Sequence, residues 1–131
     1  MAGQLYPEPS PELAHRRRDL APDTQAAFDA FSRQVFGDGA LDTKTKQLIA
    51  VAVAHVTQCP YCIQGHTKAA QRAGATAQEL MEAVWVAAEM RAGGAFAHAS
   101  LMIASLSDNR DLEHSDESKG SGKQRATEAG L

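Results

Sequence analysis

QLIAVAVAHVTQCPYCIQGH, running from Gln47 to His66, is the stretch on which the reading of this chain turns. It carries both cysteines, two of the five histidines and one of the two tyrosines. From Leu48 to Val56 every residue but His55 is apolar. Valine and isoleucine are dense enough there for a buried strand, but the alanines, the length and the preceding Lys44, Thr45, Lys46 and Gln47 favour a helix. Proline has no amide proton and suits the first turn of a helix, so Pro60 is expected to end one helix and open the next. Cys59 then falls near the N-cap and Cys62 within the first turn.

That placement has chemical consequences. The first turn of a helix carries unpaired amide protons and the positive end of the helix dipole, which stabilise a thiolate and populate the reactive form at neutral pH. Cys59 and Cys62 are three residues apart, within range of a disulfide. His66 lies four residues beyond Cys62, about one helical turn, where its imidazole reaches the sulfur and can take its proton. Two thiols and a base at one helix start point to redox chemistry. Two other readings use the same residues. A purely structural bridge would close a tiny loop and constrain the unfolded chain little. A zinc site would take Cys59, Cys62 and His66, with His55 or His98 as a fourth ligand, but a second ligand pair at the usual spacing is missing. A c-type haem attachment needs histidine directly after the second cysteine, where Ile63 stands, and is excluded.

With these residues in view a resemblance emerges. The run from Leu41 to Ala50, then CPYCI with His66 three residues on, then AxxxGATxxE (Ala70–Glu79), resembles the alkylhydroperoxidase D-like branch of the carboxymuconolactone decarboxylase family, over about residues 25–106. The resemblance implies an all-α fold, an oligomer (often a trimer or hexamer) and thiol-dependent peroxide or disulfide chemistry without a cofactor. By position, Cys62 resembles the attacking cysteine, Cys59 its resolving partner and His66 part of the proton relay. One departure stands out. The family often has glutamate where this chain has Gln47, and an amide cannot relay a proton as a carboxylate does. The relay is then shortened, or completed by another group.

The chain has 131 residues, a net charge of −3 and 44% hydrophobic residues. One domain fits that length, and the charge gives no electrostatic case for nucleic acid. Much of the apolar content is alanine, which buries little area per side chain, so the core of one subunit should be thin and oligomerisation is the natural remedy. No apolar run is long enough to span a bilayer and no N-terminal secretory signal is read, so a cytoplasmic protein is expected, where a dithiol stays reducible.

Residues 1–20, with Pro7, Pro9, Pro11 and the Arg16-Arg17-Arg18 run, read as an N-terminal arm with a short helix from Pro11 to Leu20; the arginines read as a solvated charge run. Residues 21–106 read as the helical domain. Its helices are expected from Pro22 to Phe36, from an Asp42 N-cap to about Val56, and from Pro60 to Ala73, stopping at Gly74. Thr76 to Glu79 reads as a capping box opening a helix that contains Leu80, Val84, Trp85 and Ala88. Trp85 is expected in the core or at a subunit interface. Gly93-Gly94 is expected to bend the chain or permit a close backbone approach before a last helix from about Ala95 to Leu106. Residues 107–131, rich in Ser, Gly, Lys, Asp and Glu, read as a disordered or extended tail.

The expectation is therefore an all-α, compact bundle of about five to six helices, assembled as an oligomer. Its catalytic residues would be Cys62, Cys59 and His66, with Gln47, His55, Glu89 and His98 as candidates for the proton relay. Glu89 and His98 enter because both fall on alanine-rich helices where an unpaired charge is costly. The function expected is reduction of hydroperoxides through the Cys-x-x-Cys pair, with an external dithiol as reductant. The alternatives are a γ-carboxymuconolactone decarboxylase-like enzyme or a non-catalytic, zinc-stabilised helical oligomer.

Overall fold

The computed structural model describes residues 5–106, so the tail expected over 107–131 lies outside the described residues. Five helices follow in order: α1 (Pro11–Leu20), α2 (Pro22–Phe36), α3 (Thr43–Thr57), α4 (Pro60–Arg72) and α5 (Ala77–Ala97). Residues 99–106 are also helical, and no strand occurs among the described residues. The chain divides into two compact units, Met1–Glu89 and Met90–Leu131, and α5 contributes to both.

Local chemistry sets each boundary in the first unit. Ser10 caps α1, its hydroxyl accepting from the Leu13 amide at 3.2 Å, and Pro11 and Pro22 open α1 and α2. Arg16, Arg17 and Arg18 are all exposed. Asp42 caps α3 by accepting from the Thr45 amide at 2.7 Å. Hydrogen bonds from the Thr45 side chain and amide hold the Asp42 carboxyl below its ordinary range. Helix α3 ends on Gln58, which takes the left-handed conformation at φ 55°, and Cys59 immediately caps α4. So short a connection folds α3 and α4 against each other as a helical hairpin, the most extensive helix pair in the chain. Helix α4 stops at Arg72, with Gly74 at φ +94° supplying the left-handed turn that a side chain would disfavour.

The capping box forms as its spacing predicts. The Thr76 hydroxyl accepts from the Glu79 amide at 3.1 Å, and Glu79 accepts from the Thr76 amide at 2.8 Å. Lys44 of α3 reaches Glu79 at 2.6 Å and ties the two helix starts together. The Gly93-Gly94 expectation is corrected. Helix α5 runs through both glycines, and the interruption falls at His98, where the Leu101 amide bonds the His98 carbonyl at 2.9 Å. A glycine in a helix interior costs only about 1 kcal/mol relative to alanine, which neighbouring helix formers offset. A Cβ added at Gly94 would meet nothing within 4 Å, so the chain itself makes no close approach there.

The core is thin, as the alanine content implies. Among the described residues, Val51, Ala54, Ala70 and Ala87 are the buried apolar ones. Trp85, expected in the core or at an interface, is 65% exposed and so is no part of the chain's own core. No helix among the described residues is long and apolar enough to cross a membrane.

Candidate active site

The corner between α3 and α4 assembles the site. Cys59 sits at the N-cap and its sulfur accepts from the Cys62 amide at 3.2 Å, so the first sulfur does the work a serine or aspartate does at other helix starts. Pro60 occupies the first helical position, and the first turn of α4 carries no acidic side chain to oppose a thiolate. The two cysteines form a disulfide, with their Cα atoms 5.2 Å apart. Both are half-buried.

One turn further along α4, His66 lies between two groups from other helices. Its ring packs against Phe36 at the end of α2, with centroids 5.1 Å apart and planes 32° from parallel. Its Nδ1 is 2.8 Å from Oε1 of Gln47 on α3. Gln47 is the one buried polar residue among those described, 7% exposed. An amide oxygen only accepts, so with this orientation Nδ1 of His66 is the donor. Gln47 itself, the residue whose amide left the expected relay in question, is thus the hydrogen-bond partner of His66.

The remaining candidates lie differently. His55, on α3, places Nδ1 2.7 Å from the Val51 carbonyl, which makes it a half-buried donor to its own helix. Glu89 is exposed on α5, and no described hydrogen bond or ion pair joins it to His66. The apolar surroundings expected for it are absent because the flank of α5 that carries it is open. His98 is exposed just after α5, in the second unit. Among the described residues no group of three or more His, Cys, Asp or Glu is placed to hold a metal.

Three features escaped the sequence reading. Phe36 packs on the catalytic candidate His66, and nothing in its spacing on α2 distinguishes it from Phe28 or Phe31. Tyr61, between the cysteines, donates its hydroxyl to the Pro7 carbonyl at 2.8 Å and meets Tyr6 edge-on at 5.9 Å, so residues before α1 lie against the cysteine turn. Finally, a cavity of about 360 Å³ lies beside Cys62, walled by Val35, Phe36, Lys46, Ile49 and Val53 among others. Its signal was present in the sequence: Lys46, Ile49, Ala50, Val53 and Thr57 recur at the spacing of one helix face.

Comparison with known proteins gives this geometry a lineage. Residues 22–104 match the carboxymuconolactone decarboxylase family. A Paracoccus denitrificans protein called "Uncharacterized protein 4 in cox locus" is 57% identical over 108 residues, which is 82% of this chain and 96% of that one. A carboxymuconolactone decarboxylase family protein from Legionella pneumophila is 37% identical, with a TM-score of 0.58 over 60% of this chain and 70% of its own. A Thermotoga maritima family protein, for which involvement in an antioxidative response has been suggested, is 27% identical at a TM-score of 0.50, over 72% of this chain and 97% of its own. The match over most of the helical region, together with relatives of this similarity, shows that the chain belongs to the carboxymuconolactone decarboxylase family.

Proposed function

We infer that this protein is a thiol-dependent peroxidase and disulfide reductase of the alkylhydroperoxidase D-like type. The observation that carries the reading is a vicinal cysteine pair joined across the first turn of α4, with His66 one turn on and oriented by Gln47. The Cys62 thiolate attacks the terminal oxygen of a hydroperoxide; the O–O bond breaks, an S–O bond forms, and the departing alkoxide takes up a proton to leave as an alcohol. The Cys59 thiol, deprotonated, then attacks the sulfenic sulfur of Cys62, forming the disulfide and releasing water. An external dithiol reduces that disulfide and is itself oxidised. The balance is one hydroperoxide and one dithiol to one alcohol, one water and one disulfide. His66, with Nε2 unprotonated, is the base that takes the Cys62 proton and returns it to the leaving oxygen.

Cys62 is assigned as the nucleophile because His66 lies four residues from it and seven from Cys59; two turns are roughly 10 Å along the axis, too far for direct transfer. Residues 21–106 form the catalytic domain in this reading, working in a reducing compartment such as the cytoplasm. A trimer or hexamer would cover the apolar surface that the single chain leaves open. A decarboxylase has no use for a dithiol, and nothing in the site favours it. Free thiols counted in the reduced protein before and after one equivalent of hydroperoxide test the reading. Loss of two thiols per chain, with mass spectrometry locating a Cys59–Cys62 bridge, is expected; unchanged thiols would end it.

A further inference from the structure

The residues before α1 make a contact that peroxide reduction does not call for. Tyr61 stands between the two cysteines, donates its hydroxyl to the Pro7 carbonyl at 2.8 Å and meets the Tyr6 ring edge-on at 5.9 Å. Ser10, as the N-cap, fixes the other end of this segment to α1, so residues 6–10 form a short strap from the first helix to the cysteine turn. Pro7 and Pro9 lock φ and reduce the conformations open to the free segment, which lowers the cost of ordering it. Between the strap, α1 and Tyr61 lies a cleft of about 250 Å³, walled by Pro7, Pro9, Leu13 and Arg17 among others. The groove that Cys62 lines shares no residue with this cleft, so Cys62 has space beside it that the strap does not line.

We propose that this strap selects the reductant of the Cys59–Cys62 pair: closed, it admits a small dithiol and holds off a protein dithiol until it opens. Footprint makes the difference. Even the small contacts typical of redox partners cover about 600 Å² on each protein, a patch roughly 28 Å across. The Cα atoms of the cysteines are 5.2 Å apart with Tyr61 between them, so a patch of that size centred on either sulfur includes Tyr61 and the strap lying on it. A small dithiol needs only a line of approach to one sulfur, and the groove beside Cys62 supplies it. With either reductant, its thiolate attacks one sulfur and the S–S bond breaks; its second thiol then displaces the mixed disulfide. The chain ends with two thiols and the reductant leaves as a disulfide. An exposed hydrogen bond and an edge-on ring pair, set against the entropy of ordering the segment, leave the closed form favoured by about tenfold. A partner that needs the open form is slowed by about the same factor. This selection rests on the reading above, in which an external dithiol reduces the pair.

The test takes the full chain, oxidised, and reduces it in parallel with dithiothreitol and with reduced thioredoxin, timing the appearance of its thiols by quenched alkylation and mass spectrometry. Tyr61→Phe removes the hydroxyl and keeps the ring, and Tyr6→Ala removes the ring that meets it; circular dichroism checks that each variant keeps its helices. Each single substitution is expected to speed reduction by thioredoxin about threefold, and the two together about tenfold, while dithiothreitol gains less than about twofold. An unchanged thioredoxin rate in the double variant overturns the strap. So does a slower one, which would make the segment part of the partner's docking surface. An equal gain with both dithiols means that the substitutions loosen the cysteine turn itself, and the selection fails. Absence of reduction by thioredoxin in every version ends it as well. Gated reduction in a protein that consumes no hydroperoxide would leave the strap standing and end the peroxidase reading. Peroxide consumption with ungated reduction would do the reverse.

Discussion

Val51 and Ala54 of α3 are 1% and 2% exposed and Ala70 of α4 is fully covered, whereas Trp85 and Met90 of α5 are 65% and 63% exposed. Both regions are rich in alanine, valine and methionine or isoleucine, and the contrast lies in what each has to pack against. The hairpin is closed by one left-handed residue, so its apolar faces meet within the chain and small side chains permit close contact. Helix α5 is apolar around most of its circumference, a pattern belonging to a helix covered on all sides. Its open surface is larger in kind than isolated exposed apolar residues and marks a face awaiting a partner. The hairpin is expected to supply the chemistry, and α5 the assembly.

The contrast can be broken most severely at the hairpin. Cys62→Ser should abolish peroxide consumption, while Cys59→Ser with peroxide should trap a sulfenic acid on Cys62 that forms a dimedone adduct. An adduct on Cys59 in the Cys62→Ser protein would reverse the roles and remove His66 as the base. On the other side, Trp85→Asp combined with Met90→Asp should dissociate the assembly, seen as a drop in mass by light scattering. Buried aromatic anchors are worth about 2 kcal/mol or more each. A folded, monodisperse monomer of the unaltered chain at micromolar concentration would refute the role given to α5.

Smaller effects sharpen the contrast. Gln47→Glu should speed thiol alkylation at neutral pH, because a carboxylate stabilises the imidazolium formed when His66 takes the proton. Gln47→Leu should slow it, and should cost about 1–3 kcal/mol through the donor left unmet in the interior. Glu89→Gln, on the exposed flank of α5, should leave alkylation unchanged; a slower rate would bring Glu89 back into the relay.

The smallest effect is acid sensitivity at the helix starts. The Lys44 ion pair first, and then the Thr76 amide, hold the Glu79 carboxyl below its ordinary value of 4.5, and Thr45 holds that of Asp42 below 3.8. Carboxyls lowered on folding contribute stability that is present above these ordinary values and is lost as pH falls through the folded ones. Thermal melts of Asp42→Asn and Glu79→Gln should therefore differ from the parent near pH 7 and converge with it as the pH falls through the lowered folded-state values. Persistence of the difference in acid would show that the caps act by something other than charge.

How much was legible beforehand follows from the range of each interaction. Pro11, Pro22, Asp42, Pro60, Gly74 and the Thr76–Glu79 box act within one turn of chain, so they mark helix starts and stops in the sequence itself. The position of Cys59 at the N-cap, Cys62 in the first turn and His66 one turn later is fixed by the same local geometry, and the thin core follows from the abundance of alanine. Gly93-Gly94 misled as a helix boundary because a glycine pair permits a break without forcing one, and α5 continues through both to Ala97. What only the tertiary structure decided lies across chain separations that no local rule spans. Gln47 and His66 are nineteen residues apart and meet because the α3–α4 corner folds one helix against the other. Phe36 reaches the same imidazole from α2, Lys46 and Cys62 come to line one groove, and Tyr61 meets Pro7 across 54 residues. Sequence determined which groups are the candidates for the chemistry, because reactivity and helix capping are local; packing decided what orients and surrounds them, because that depends on which faces the helices bury.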